Sequence, residues 1–234
     1  MNEWALKRFW KEVTVEEDAQ GYAVLLDRRA VRTPAKRPLV VPTPVIAERI
    51  ASEWMTQENK VDPTTMPWTR SANAALDKVA TQRAEVEAHL AGYAGTDLLS
   101  YRAEAPEELA QRQAWNWNPE LDWAADRFGA RLAVTRGVMP VEQTPGTLAA
   151  LAGAMSDMSD FQLTGFHDLV TLSGSFVLAL SVAFRGADPR SAWKLSRLDE
   201  DWQIEQWGVD EEAAEHAKIK HAAFVHAAEF FHAA

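Results

Sequence analysis

The 234-residue chain contains no cysteine. That excludes a disulfide scaffold, thiol catalysis and cysteine-ligated zinc or iron–sulfur centres, and it fits a cytoplasmic protein. Basic residues are also in deficit: 24 Lys and Arg stand against 34 Asp and Glu, a formal net charge of −10. Phosphate contacts need clustered Lys and Arg, so nucleic acid is not the expected partner. No long hydrophobic run is present. The longest uncharged segment, Leu169 to Phe184, has 16 residues and contains Ser173-Gly174-Ser175. A bilayer span needs about 20, so a buried helix is expected and stable membrane insertion is not. The start, MNEWALKRFWKEV, lacks the apolar stretch of a secretory signal and carries Glu3 and Glu12, where a mitochondrial presequence is poor in acid.

Catalytic signatures are equally scarce. The sequence has neither GxxxxGK[ST] nor a GxGxxG after a strand. Ser173-Gly174-Ser175 does not match a GxSxG elbow and reads as a close-packing point inside an apolar helix. Four of the six histidines (His216, His221, His226, His232) lie in the last helical segment. Their spacings miss the i, i+3 or i, i+4 separation that a helical ligand pair needs. His167 reads as a partly buried, satisfied side chain. The expectation is no catalytic residue, no metal and no cofactor.

What the chain has is acid mixed with tryptophan. Between Arg197 and Lys218 lie eight carboxylates (Asp199, Glu200, Asp201, Glu205, Asp210, Glu211, Glu212, Glu215), interleaved with Trp202, Ile204 and Trp207. Plotted as one helix at about 100° per residue, Trp193, Ile204 and Trp207 share a side, and Leu195, Leu198 and Trp202 fall nearly opposite. Glu200 then sits within the first stripe. A carboxylate there needs a hydrogen-bonded or cationic partner, a proton, or another protein. Arg197, one turn earlier, is the local candidate. Asp199, Glu200, Asp201, Trp202, Glu205 and Trp207 form the predicted partner-binding segment. Residues 1–40 are by contrast mildly basic, with eight basic side chains against six acidic ones. Such a charge dipole can orient a partner.

The expected fold class is α+β: a small N-terminal antiparallel β-rich domain over residues 1–68, with one helix, and a larger all-helical domain over 69–234. Phe9, Val13 and Val15 alternate with polar residues, Gly21 precedes the run Tyr22 to Asp27, and Leu39-Val40-Val41 lies between prolines. Pro44 opens a helix carrying Ile46, Ile50 and Trp54 at i, i+4, i+8. Beyond Thr69, helices are expected over Ala72–Leu90, from Pro106 to a break at Asn118-Pro119, and from there to Phe128. Others are expected over 147–155, 160–184, 189–207 and 210–232. Residues 131–135 read as an isolated extended segment.

Taken together, the motifs resemble a known family, the F-type ATP synthase assembly factor 2 chaperones, which attend the alpha subunit of the catalytic sector. The seven stretches that carry the resemblance span nearly the whole chain. They are RFWKEV from Arg8, LDRRAVRTPAKRPLVVPT from Leu26, IASEW from Ile50, MPWTRSANAALD from Met66, TDLLSYRAEAPEEL from Thr96, WNPELDW from Trp117 and LSRLDEDWQIEQWG from Leu195. The resemblance implies a two-domain, cofactor-free, non-enzymatic protein that binds an unassembled alpha subunit, suppresses its aggregation and releases it into the catalytic ring. It implies a functional carboxylate in LDEDWQ, with Glu200 nearest on helical-face grounds and Asp199 and Asp201 as alternatives. It also implies that Trp54 matters to the integrity of the fold. A bacterial member acting in the cytoplasm, monomeric when free, is expected.

Two other readings compete. Trp115, Trp117 and Trp123 beside Glu120 and Asp122 suggest a hydrolase acting on carbohydrate or another polar substrate. On a helix, however, those two carboxylates diverge. A structural adaptor without holding activity is the third reading.

Overall fold

The computed structural model describes residues 7–234, so Glu3 lies outside the described residues. The architecture is α+β, and the chain divides into two compact units. One holds the chain through Arg83 together with Ser159–Gly165 and Glu229–Ala234; the other holds Ala84–Met158 and Phe166–Ala228.

The first unit is built on an antiparallel sheet. Strands β1 (Val13–Asp18) and β2 (Gly21–Leu26) form a hairpin in which Val15 faces Val24. β3 (Arg29–Ala30) and β4 (Val40–Val41) both pair antiparallel with β2. The β2–β3 turn places Asp27 and Arg28 at φ 45° and 68°, the primed geometry that suits strand twist. The Asp27 carboxylate secures that turn by accepting the backbone N–H groups of Lys11 and Glu12, at 3.0 and 2.9 Å. Gly21 is required by close approach: a Cβ there would lie 2.3 Å from the Val41 carbonyl oxygen.

Helix α1 (Pro44–Thr56) begins as the sequence predicts, with the Thr43 hydroxyl accepting the Ile46 N–H and Pro44 in the first turn. Ile46, Ile50 and Trp54 enter the core against Val24, Leu26, Leu39 and Val41. Trp54 meets Trp10 edge-on at 5.2 Å, and the Trp10 indole donates to the Trp54 carbonyl. Glu53 is buried on the same helix. It accepts the N–H groups of Trp68 and Thr69 (2.6 and 2.8 Å) and the Thr69 hydroxyl (2.7 Å). Helix α2 (Pro67–Asp77) has no side-chain cap from its own first residue, so Glu53 caps it from the neighbouring helix. Burial pushes the Glu53 carboxyl up, and these hydrogen bonds oppose the shift. Met66, Trp68, Ala72 and the distant Phe230 share the core. The first unit therefore runs past the 68/69 division drawn from the sequence, which cuts through α2.

The second unit is mainly helical. The helix expected over Ala72–Leu90 is interrupted: α2 stops at Asp77, a short 3₁₀ turn covers Val79–Thr81, and α3 (Arg83–Gly95) follows. β5 (Tyr101–Arg102) precedes α4 (Glu107–Phe128) and pairs in parallel with β6 (Thr135–Arg136). The extended segment is thus not isolated, but pairs over two residues within an otherwise helical unit. Pro119 does not break α4. Its missing N–H strands one carbonyl, that of Trp115, on a face where both residues are exposed, while Trp117, Leu121 and Ala124 bury the opposite face.

After α5 (Pro145–Gly153), the apolar stretch 160–184 is not one helix. α6 (Asp160–Ser173) ends at Gly174, whose φ is 70°, and Ser175 caps α7 (Phe176–Leu180); a π turn spans Ser181–Arg185. Ser173-Gly174-Ser175 is therefore a helix break. Among the described residues no helix is long and apolar enough to cross a membrane. Fully buried Asp97 holds the break together, accepting the Ser175 hydroxyl at 2.8 Å and the N–H groups of Leu99 and Val177 at 2.9 and 3.0 Å.

Candidate functional site

The acidic segment forms three short-linked helices. α8 (Pro189–Ser196) starts on the Asp188 carboxylate, which accepts the Ser191 N–H. α9 (Leu198–Trp207) carries Asp199, Glu200 and Asp201 in its first turn and stops at Gly208, φ 90°. α10 (Glu211–Ala233) starts with Asp210 accepting the Ala213 N–H and with Glu211 and Glu212 in its first turn. Six of the eight carboxylates in the run therefore sit at helix N-termini, where the exposed N–H groups and the helix dipole favour negative charge.

Residues 189–207 are not one helix. At Arg197 the backbone leaves the helical region (φ −111°, ψ 14°). In a continuous helix Trp193 and Leu198 would point in widely different directions; the bend lets both be buried. Glu200 accordingly does not lie in a buried stripe. It is half-exposed and accepts from Arg197 at 3.3 Å, one turn earlier. Ion pairs so exposed contribute about 0–1 kcal/mol.

The six predicted residues separate into two groups. Asp199, Trp202 and Glu205 face α4. The Gln113 amide donates to Asp199 at 2.7 Å, and its oxygen accepts the Ala103 N–H. Arg112 lies over the Trp202 ring, 5.0 Å from its centroid, and donates to both Glu205 oxygens at 2.9 Å. Behind them Arg102 is buried over Trp117, whose indole donates to the Leu195 carbonyl at 2.9 Å. Burial pushes the Arg102 guanidinium down to about 10, and the Asp199 charge works the other way.

Glu200, Asp201 and Trp207 form the second group, on the wall of a groove of about 840 Å³ between α8, α9 and α10. Ile204 shares that wall, Ala214 and Ala217 line α10, and Trp193 stacks on His221 with ring centroids 5.9 Å apart. Trp207 is 79% exposed, and Val209 beside it 64%.

The carboxylates of the hydrolase reading do not converge. Glu120 pairs with Arg185 at 3.1 Å and Asp122 with Arg131 at 3.0 Å. Of its three tryptophans, Trp117 is fully buried and Trp115 is 84% exposed. Sequence reasoning missed Gln113 and Arg102 as the supports of Asp199. No local pattern marks them, since their role follows from α4 lying beside α9.

Comparison with known proteins places the chain in a family. The profile of the ATP12 chaperone protein family matches residues 7–125. The crystal structure of Atp12 from Paracoccus denitrificans superposes with a TM-score of 0.94 at 48% identity, over 98% of this chain and 99% of that one. A single-substitution mutant of the same organism's Atp12p gives 0.93 at 47% identity, over 97% of each chain. The Atu1473 protein of Agrobacterium tumefaciens gives 0.89 at 39% identity, over 96% of this chain and 85% of that one. With whole-chain likeness at this identity and a family match across more than half its length, the chain belongs to the ATP12 chaperone protein family.

Proposed function

We propose that this chaperone holds the unassembled alpha subunit of the ATP synthase, in the cytoplasm of a bacterium, until a native neighbour displaces it. Family membership supports a chaperone role in ATP synthase assembly, and the alpha subunit is the client that the sequence resemblance implies. The observation that carries the reading is the exposed Trp207–Val209 end of α9 beside an open groove. An unassembled subunit exposes apolar surface that later faces its neighbours, and such surface aggregates. A holder without a nucleotide cycle must bind it reversibly and yield to a tighter native partner.

Glu200, Asp201 and Trp207 make the contact, while Asp199, Trp202 and Glu205 fix α9 on α4 so that the contact surface keeps its shape. Light scattering of refolding alpha subunit tests this. Wild type is expected to suppress aggregation at near-stoichiometric ratio without nucleotide hydrolysis. Trp207→Ala, which removes an exposed ring, should leave the melting temperature within about 2 °C and weaken holding about tenfold. Glu17→Gln, an exposed control on β1, should do neither. A Trp207→Ala protein that holds its client as well as wild type would place the contact elsewhere.

A further inference from the structure

The groove between α8, α9 and α10 has helical walls and an apolar lining. On α9 it presents Ile204 and Trp207; on α10 the facing positions are small, Ala214 and Ala217. Its lining charges are of both signs. Arg197 is engaged by Glu200 and Lys218 by Glu215. Arg190 and Lys194 lie on α8, with the capping Asp188 carboxylate close to Arg190. Asp201 lies in the first turn of α9, and Asp210 at the turn where α9 passes to α10. The groove therefore carries Arg190 and Lys194 at its α8 end and Asp210 at the hairpin turn.

We infer that this groove receives an amphipathic α-helical segment of the client, with an apolar row against Trp193, Ile204 and Trp207, an acidic residue facing Arg190 and Lys194, and a basic one near Asp210. The inference rests on the holding function proposed above and specifies the chemistry of its partner. A helix is the form that fits. The groove walls spend their backbone groups on their own helical hydrogen bonds, so an extended occupant would find no sheet edge to pair with, whereas a helix satisfies its own backbone. Alanine at the facing α10 positions permits close approach. The ten residues of α9 span about 15 Å, which matches roughly three turns of an occupant. Charges that differ from one end of the groove to the other fix the direction in which that helix lies.

The test fills the groove without removing any contact. Ala217→Phe, and Ala214→Leu as a smaller change, are expected to melt near the wild-type temperature and to hold isolated alpha subunit about tenfold more weakly. Ala222→Phe, on the exposed side of α10, should hold normally. A series of overlapping peptides of about 15 residues from the alpha-subunit sequence then identifies the occupant. The peptide bound by wild type and lost by Ala217→Phe should carry apolar residues at i, i+3 or i+4, and i+7. Lys replacing its acidic residue should weaken it against wild type and restore it against an Arg190→Glu/Lys194→Glu variant.

If both filled variants fold and hold the alpha subunit as wild type does, the groove is not the site, although the holding function stands. If wild type does not hold the alpha subunit, that function falls first and takes this inference with it. A bound peptide of alternating, strand-like pattern overturns the helical occupant. So does sedimentation showing that groove filling splits a dimer of this chain, which would make the occupant a second copy.

Discussion

Replacing Asp97 with alanine is expected to lower stability by about 3 kcal/mol, enough to bring the melting temperature down by roughly 10 °C. The side chain is fully buried, and its removal leaves the Ser175 hydroxyl and the N–H groups of Leu99 and Val177 without their acceptor. Each unsatisfied buried donor costs about 1–3 kcal/mol, partly offset by losing a buried charge. The pH dependence gives a sharper test. Burial pushes the Asp97 carboxyl from its ordinary 3.8 up to about 6. The folded chain then binds this proton more readily than the unfolded chain. The group's contribution to stability is therefore largest below about pH 4, and it declines as pH rises through about 6. The advantage of wild type over Asp97→Asn, which cannot titrate, should shrink by about 2 kcal/mol between pH 4 and pH 7. Chemical denaturation of both proteins at the two pH values measures it. A difference that does not change with pH would show that Asp97 keeps an ordinary carboxylate affinity for protons.

The second large effect is expected at Trp54. Trp54→Arg places an unpaired cation in the core between Trp10, Ile50 and the sheet, at a loss of at least about 5 kcal/mol. Domains of this kind are stable by only about 5–15 kcal/mol, so the first unit should fail to fold or populate unfolded states at 37 °C. Trp54→Phe keeps an apolar ring against Trp10 and should lose only about 1–2 kcal/mol. Near-ultraviolet circular dichroism with urea denaturation separates the two. A Trp54→Arg protein that melts with wild type would mean that the side chain is free to turn out into solvent.

Much of the first unit was legible because its signals are local. Thr43-Pro44 announces α1, the Ile46/Ile50/Trp54 spacing gives its buried face, and Gly21 with the alternation around it gives the hairpin. Phe230 was not legible, because it reaches this core from the far end of the chain. Helix interruptions were hidden for a related reason. The bend at Arg197 has no glycine or proline, and it exists because Trp193 and Leu198 must both be buried. Pro119 led to the opposite error: tertiary burial of Trp117 and Leu121 carries α4 through a residue that alone would end it.

The candidate site shows the limits of composition. Reading the acidic run as a recognition surface overlooked the N-terminal turns of α9 and α10, which account for six of its eight charges. What separates a supporting carboxylate from an outward one is the neighbouring helix. Asp199 and Glu205 meet Gln113 and Arg112 of α4, and Glu200 does not. Buried carboxylates were invisible for the same reason. Glu53 in IASEW accepts N–H groups supplied by α2, and Asp97 in TDLLSY accepts groups of Ser175 and Val177, partners that no local pattern shows.

The proposed identity of the client as the alpha subunit is tested most directly by size-exclusion chromatography of the purified chain mixed with isolated alpha subunit under conditions where the subunit alone precipitates. The expected result is a soluble complex in which the two co-elute, and which Trp207→Ala forms weakly. If the alpha subunit precipitates to the same extent with several-fold excess of this chain present, and no complex elutes, the alpha subunit is not its client.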